Sequence, residues 1–276
     1  MDIIHVLDKQ VSDLIAAGEV VERPASVVKE LIENAIDAGS TQIKISIENG
    51  GTTFISITDN GKGMSAKDAE TAFLKHATSK ITSKDDLFAI HTMGFRGEAL
   101  CAISAVSKIV LTTKDHDAES GTKIVMEYGR QIEKTECAFN PGTQIIVTDL
   151  FGNTPARKKF LRSDAAETAS ITAILRGFAY AYPEIGFEYY ADGKEKLFTF
   201  GKSDLKDAIF AVEGSEFTKS LLRIDFSSPY GTSGTKIKVS GYTGLPIYNK
   251  PKRTHQFFFV NKIKSSLVKG IVTPAS

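Results

Sequence analysis

The sequence predicts an α+β fold in two domains, and three observations carry that expectation. An amphipathic helix runs straight into two alternating strands joined at Asn49-Gly50-Gly51, which reads as a helix and an antiparallel hairpin. Further strand-like segments follow at 109–113, 123–128 and 143–149. Near residue 203 the texture changes: 221–261 is strand-rich, with Ser, Gly and Pro at 227–234 and apolar segments at 237–242 and 257–260. The expected domains are therefore 1–203 and 204–276.

The elements can be justified in order. Val11 to Ala17 reads as a short helix stopped by Gly18. Pro24 suits the first turn of a helix reaching about Ala38, with Gly39 as its C-terminal stop. Thr41 to Glu48 places Ile43, Ile45 and Ile47 on one face, and Phe54 to Asp59 alternates through Ile55 and Ile57. Residues 66–76 look helical, and 77–97 is a long polar loop containing Gly94 and Gly97 that leads into a helix from Glu98 to Val106. Loops of that length inside a compact domain are usually functional. A helix pair starts at Pro155 and ends near Tyr182, Asp192-Gly193 marks another hairpin, and Ser203 to Val212 is again helical. Ser265 to Ser276 carries no convincing terminal element, so the second domain is expected to be truncated.

Composition bounds the function. With 276 residues, 42% of them hydrophobic and 24% charged, the chain has an ordinary globular make-up. Its net charge of +1 means that any nucleic-acid affinity must come from local patches. Two cysteines, Cys101 and Cys137, are too few for a disulfide framework and point to a reducing compartment. No apolar run approaches the roughly 18–20 residues that span a bilayer. The start, Met1-Asp2-Ile3-Ile4-His5, lacks the features of a signal peptide, so the expected compartment is intracellular.

The first long helix carries two stripes. Val27, Val28, Leu31, Ile32, Ala35 and Ile36 cover one side, while Glu30, Glu33, Asn34 and Asp37 follow i, i+3, i+4, i+7 on the other. Like charges at that spacing repel, so the polar stripe is either a solvated face or a surface compensated by something else. The sharper reading is a metal–phosphate surface, with a carboxylate to take a proton from water and an amide oxygen to hold Mg2+. Asp59-Asn60-Gly61-Lys62-Gly63 follows directly on a strand. A carboxylate there, able only to accept, suits an exocyclic amino group such as that of adenine. Gly61 to Ala66 also fits the dinucleotide fingerprint formally. It fails on context, because the strand before it belongs to a hairpin and no acidic strand end follows about 20 positions on. No Walker-type phosphate loop occurs. Thr78-Ser79-Lys80 and Gly94 to Leu100 bracket the long loop, the latter placing glycines and Arg96 at a helix start where phosphate is favoured. Pro141-Gly142-Thr143 offers a hydroxyl at a tight turn.

In this order, E-x-x-x-N on a helix, D-x-G-x-G after a strand, a glycine-rich lid and a Gly-Thr, the elements resemble the GHKL ATPase superfamily of gyrase, heat-shock chaperone, histidine kinase and MutL. Longer strings are similar to the MutL family of DNA mismatch-repair proteins: Ile15 to Leu31 (IAAGEVVERPASVVKEL), His76 to Ile81 (HATSKI), Gly94 to Leu100 (GFRGEAL) and Asp149 to Arg157 (DLFGNTPAR). The match runs across essentially the whole chain. It implies a Bergerat-type α/β sandwich followed by a transducer domain resembling ribosomal protein S5 domain 2. It also implies ATP and Mg2+ as ligands. Glu30 would be the general base, Asn34 the Mg2+ ligand, and Asp59 the partner of the adenine amino group. Gly63 would lie close to the base and Thr143 would support that contact, with Asp37, Ala38 and Met64 completing the set; Glu33 and Asp37 would have supporting roles. Thr78, Ser79, Lys80, Gly94, Phe95, Arg96, Gly97, Glu98, Ala99 and Leu100 would form the lid.

The resemblance further implies ATP-dependent homodimerisation through Met1 to about Glu22, slow hydrolysis gated by that closure, and mismatch-recognition and other repair proteins as partners. A bacterial member would be cytoplasmic and nucleoid-associated, a eukaryotic one nuclear. The family's phosphate-sensing lysine lies beyond Phe258-Phe259-Val260-Asn261, and no counterpart precedes Ser276, so weakened hydrolysis with binding retained is expected. Where the family has an arginine soon after that Asn, this chain has Lys262 and Lys264. With Arg157, Lys158, Lys159 and Arg162, and with Lys250, Lys252 and Arg253, they are the candidate contacts for non-specific DNA; a solvated face is the plain alternative for each cluster. A DNA-binding scaffold with a vestigial nucleotide pocket is the competing function.

Overall fold

The computed structural model describes residues 17–78, 97–201, 204–230, 235–246, 255–260 and 262–264. Residues 17–20 are helical, so Gly18 lies inside that helix and does not stop it; the expected start at Val11 lies outside the described residues. The glycine is needed for space: a Cβ there would stand 1.8 Å from a guanidinium nitrogen of Arg157. Helix α1 spans Pro24–Asp37, with Pro24 in the first turn and Gly39 at φ +77° just past its end.

Strands β1 (Gln42–Glu48) and β2 (Phe54–Asp59) form the expected hairpin, with Ile45 opposite Ile57. Helix α2 covers only Ala66–Thr71, shorter than expected, and turns carry the chain on to His76. Ser65 caps it by accepting from the Asp68 N–H. Helix α3 is Ala99–Ala105, followed by β3 (Lys108–Lys114), β4 (Gly121–Glu127), β5 (Arg130–Cys137) and β6 (Gly142–Thr148). Helices α4 (Pro155–Lys159) and α5 (Asp164–Ala181) lead to β7 (Gly186–Ala191) and β8 (Lys194–Phe198).

These eight strands make one mixed sheet in the order β5-β4-β3-β6-β2-β1-β7-β8. Neighbours are antiparallel except β1 and β7, which run parallel with Gln42 opposite Gly186. Alternation sends Ile43, Ile45, Ile55, Ile57, Ile109, Leu111, Ile145, Val147, Phe187 and Tyr189 to one buried face. Val27, Val28, Leu31 and Ile32 of α1 and Ile171 and Leu175 of α5 join that core. The result is a two-layer α/β sandwich whose polar strand residues face outward. Strand β5 escapes the sequence pattern because seven of its eight residues are exposed. With neither face covered, selection for alternation is absent, and its charged side chains protect a sheet edge.

Beyond the sheet, α6 (Leu205–Glu213) and α7 (Ser215–Lys219) precede a long ribbon of β9 (Leu221–Tyr230) and β10 (Thr235–Gly244), and β11 (Phe259–Val260) pairs with β12 (Ile263–Lys264). Glu213 at the end of α6 ties this part to α5: it accepts from Arg176 and Tyr180, and His255 Nε2 lies 3.7 Å from its second oxygen. Phe257 meets the Tyr180 ring edge-on at 4.9 Å. Cys101 and Cys137 remain thiols. Among the described residues no helix is long and apolar enough to cross a membrane.

Candidate functional site

A cavity of about 900 Å³ opens between the polar stripe of α1, the ends of β2 and β6, the turn after Asp59, and the start of α3. Every described residue singled out for the nucleotide lines it: Glu30, Asn34, Asp37 and Ala38 from α1 and its cap, Asp59, Gly63 and Met64 from β2 and its turn, Thr78, Gly97, Glu98, Ala99 and Leu100, and Thr143. Ser79, Lys80, Gly94, Phe95 and Arg96 lie outside the described residues, as do residues 1–16 of the expected dimerisation segment.

The floor is built by strand pairing. Asp59 ends β2 opposite Thr143 of β6, and Thr143 in turn stands opposite Thr113 of β3. Burial pushes the Asp59 carboxyl above its ordinary 3.8, while the Gly61 N–H and the Ser40 hydroxyl hold part of that rise back. Both donors go to the same oxygen: Oδ1 accepts from Gly61 N at 2.8 Å and from Ser40 Oγ at 2.9 Å. Oδ2 takes neither of these bonds. The Thr113 hydroxyl donates to Gly142 O at 2.9 Å and accepts from Met64 N at 3.0 Å. With its proton so committed, it receives the Thr143 hydroxyl across 3.0 Å, and the Thr143 lone pairs are available to a ligand.

The turn itself is packed backbone to backbone. Gly63 has φ +68°, and a Cβ would fall 1.9 Å from Lys114 O. Gly63→Ala therefore meets both a left-handed conformation and a backbone clash, and should destabilise the fold by about 3 kcal/mol or more. Thermal unfolding checks this; a midpoint equal to that of the parent protein would refute it.

The polar stripe of α1 faces inward in part, with Glu30, Asn34 and Asp37 half-buried. It lies on the cavity, and Glu33 is buried at 7% exposure. Sequence reasoning overlooks the nearest compensation for its repelling carboxylates, which is Lys29. The ammonium stands 2.9 Å from Glu33 Oε1, 3.0 Å from Oε2 and 3.3 Å from Glu30 Oε1. Burial pushes the Glu33 carboxyl upward, opposed by Lys29 and reinforced by the charges of Glu30 and Asp37. Burial opposes the charged form of Lys29, yet contact with Glu33 and the charge of Glu30 raise its pKa overall. The i, i+4 spacing of Lys29 and Glu33 is the signal that could have found it. Ser40 and Thr113 leave no such local signal.

At the mouth, the two ends of the long loop meet. His76 Nδ1 lies 2.9 Å from Glu98 Oε1, and Gly97, at φ +62°, leaves a gap in which a Cβ would sit 2.3 Å from Ala77 O.

None of the described basic candidates lines this cavity, and several are occupied elsewhere. The Arg157 guanidinium lies 5.7 Å from the Phe151 ring centre and against Gly18. Lys158 stands 3.6 Å from Asp149, and Arg162 Nε donates to Glu167 across 3.3 Å. Lys262 pairs with Glu184 and lies 5.1 Å from the centre of the Tyr182 ring. Lys159 is exposed; Lys250, Lys252, Arg253 and the Lys264 side chain lie outside the described residues.

Comparison with known proteins adds to this geometry. Residues 22–147 match the family described as histidine kinase-, DNA gyrase B-, and HSP90-like ATPase. The chain is 45% identical over 261 residues to the DNA mismatch repair protein MutL of Caldanaerobacter subterraneus subsp. tengcongensis, covering 95% of this chain and 43% of that protein. It is 44% identical over 274 residues to the MutL of Clostridium tetani, covering 99% of this chain and 43% of that one. The chain thus spans less than half the length of these relatives. Among solved structures, the N-terminal domain of a DNA repair protein superposes with a TM-score of 0.80 at 29% identity, covering 94% of this chain and 80% of that one. The Aquifex aeolicus MutL ATPase domain complexed with ADP does so with a TM-score of 0.58 at 28% identity, covering 76% and 73%.

Proposed function

This chain belongs to the MutL family of GHKL ATPases, and from that premise we propose that it binds ATP with Mg2+, hydrolyses it slowly, and acts as a nucleotide-driven switch in DNA mismatch repair. The observation that carries this reading is the convergence of all described nucleotide candidates on one cavity, with an acceptor-only carboxylate at its floor.

The residues fit the ligand. Asp59 Oδ2 accepts from the adenine amino group, and the Thr143 hydroxyl supports that end. Gly63 admits the base close to backbone. The Asn34 amide oxygen suits Mg2+, which commonly takes only one or two protein ligands and leaves the rest to phosphates and water. Bound there, the metal supplies neutralisation of phosphate charge. Glu30, on the same helix face one turn earlier, takes a proton from water. Thr78 and Gly97 to Leu100 hold the base of a lid that closes on the phosphates, and closure brings two copies together through their N-terminal segments.

The chain then divides near residue 203 into a GHKL domain, 1–203, and an S5 domain 2-like transducer, 204–276. Mismatch-recognition and other repair proteins are its partners, and DNA contact is non-specific. With Lys158, Arg162 and Lys262 already paired to carboxylates, Lys159 is, among the described basic candidates, the one best placed for a phosphate.

Size-exclusion chromatography with and without a non-hydrolysable ATP analogue plus Mg2+ tests the switch. A shift from monomer to dimer is expected, and an unchanged monomer peak at saturating analogue overturns it. Nucleotide affinity should also depend on acid pH. Recognition needs the ionised Asp59, whose pKa is raised by burial, so affinity is full above that raised value and falls as pH drops through it. Calorimetric titrations across the acid range check the direction; affinity that rises on acidification contradicts it.

A further inference from the structure

We propose that Lys29, anchored on Glu33, is the positioning residue that holds the Glu30 carboxylate in its working orientation. This rests on the reading of Glu30 as the group that takes the proton from water.

The three side chains meet on one helix face, where the Lys29 side chain, itself 47% exposed, bridges two carboxylates of unequal burial. Glu33 is nearly enclosed, at 9% side-chain exposure, and its two oxygens lie 2.9 and 3.0 Å from the Lys29 ammonium. Glu30 is more open, at 28%, and touches the same ammonium through Oε1 at 3.3 Å. All three line the nucleotide cavity. A glutamate on an open helix face samples many rotamers, and a base that must meet one water in one place loses rate when it does. The buried Glu33 supplies rigidity, the ammonium transmits it, and the half-buried Glu30 carboxylate keeps Oε2 for the water. The same cation separates Glu30 from Glu33, whose mutual repulsion would otherwise turn Glu30 away from the helix. Lys29 need not touch the nucleotide for any of this.

The test uses the whole chain. Lys29→Met leaves Glu33 buried without a partner and risks the fold, so the informative variant is Lys29→Met/Glu33→Gln, which removes both charges together. Lys29→Arg is its conservative counterpart. Each is measured for affinity of a non-hydrolysable ATP analogue with Mg2+ by calorimetry, for thermal unfolding, and for kcat and KM. The double variant should unfold near the parent midpoint, bind within about threefold of it, and lose roughly 10- to 100-fold in kcat at unchanged KM, the scale of a misplaced catalytic group. Lys29→Arg should recover most of that rate. Unchanged kcat in the double variant overturns the proposal. So does binding weakened tenfold or more with kcat retained, which would make Lys29 a phosphate ligand. Glu30→Ala, assayed in parallel, separates the two layers. If it keeps turnover, the reading of Glu30 fails and the positioning role with it. If it loses turnover while the double variant does not, only the positioning role fails.

Discussion

Replacing Asp59 with Asn should abolish measurable ATP binding while leaving the fold intact. The geometry makes the outcome directional. Gly61 N and Ser40 Oγ both donate to Oδ1, so the carbonyl oxygen of an introduced amide is retained there and its NH2 is forced into the place of Oδ2. A donor then faces the adenine amino group, itself a donor. The substitution removes a hydrogen bond to a charged acceptor, worth about 1.5–3 kcal/mol, and the two opposed donors add their own cost. Sites built on a polar interaction reject its absence strongly, so affinity should fall by at least about 100-fold. Stability should hold or rise, because the substitution removes a carboxylate whose ionisation burial opposes. Calorimetry with an ATP analogue and Mg2+ measures the first effect and thermal unfolding the second. Affinity within threefold of the parent would remove Asp59 from the nucleotide site.

The second large effect separates binding from turnover. Glu30→Ala should bind ATP about as well as the parent and lose roughly 10²- to 10⁴-fold in kcat, the usual worth of a positioned general base. Binding should survive because the proposal gives adenine and metal recognition to Asp59 and Asn34, and because Lys29 keeps its closer partner Glu33. Single-turnover hydrolysis with a binding control measures both. Turnover that persists in this variant, together with wild-type binding in Asp59→Asn, would mean that the whole cavity has been assigned to the wrong chemistry.

What the string of residues reveals divides along physical lines. The helix face from Glu30 to Asp37 and the turn from Asp59 to Gly63 are legible because both are local: one is a period, the other a conformation that only glycine adopts easily. Pattern alone leaves the helix face open between solvent and ligand, and what it hides is the burial of Glu33 and its place on a cavity. Ser40 and Thr113 are illegible because the folded path of the chain, not spacing, brings them to Asp59 and Thr143. Strand β5 is hidden for the opposite reason, since a strand with no covered face leaves no alternation to detect. Gly18 shows a third limit. Its place suggests a helix stop, yet its small size instead serves a guanidinium arriving from Arg157, far along the chain. Basic residues are the least informative, because a lysine in a string does not reveal whether a carboxylate such as Asp149 or Glu184 already holds it.

The parallel join of β1 to β7 bears on how this molecule is made. Most of the sheet can assemble from segments that follow one another closely, but Gln42 must wait for Gly186. Closing so long an intervening stretch is entropically costly and slows folding. A nascent chain can form its early hairpin, and even pair β2 with β6, before β7 has left the ribosome. Until then the core to which α1 contributes lacks Phe187 and Tyr189. During that interval the polar face of α1 would be formed on an unfinished core, so the proposed competence to bind should come late in synthesis, after the strand at Gly186–Ala191 is docked.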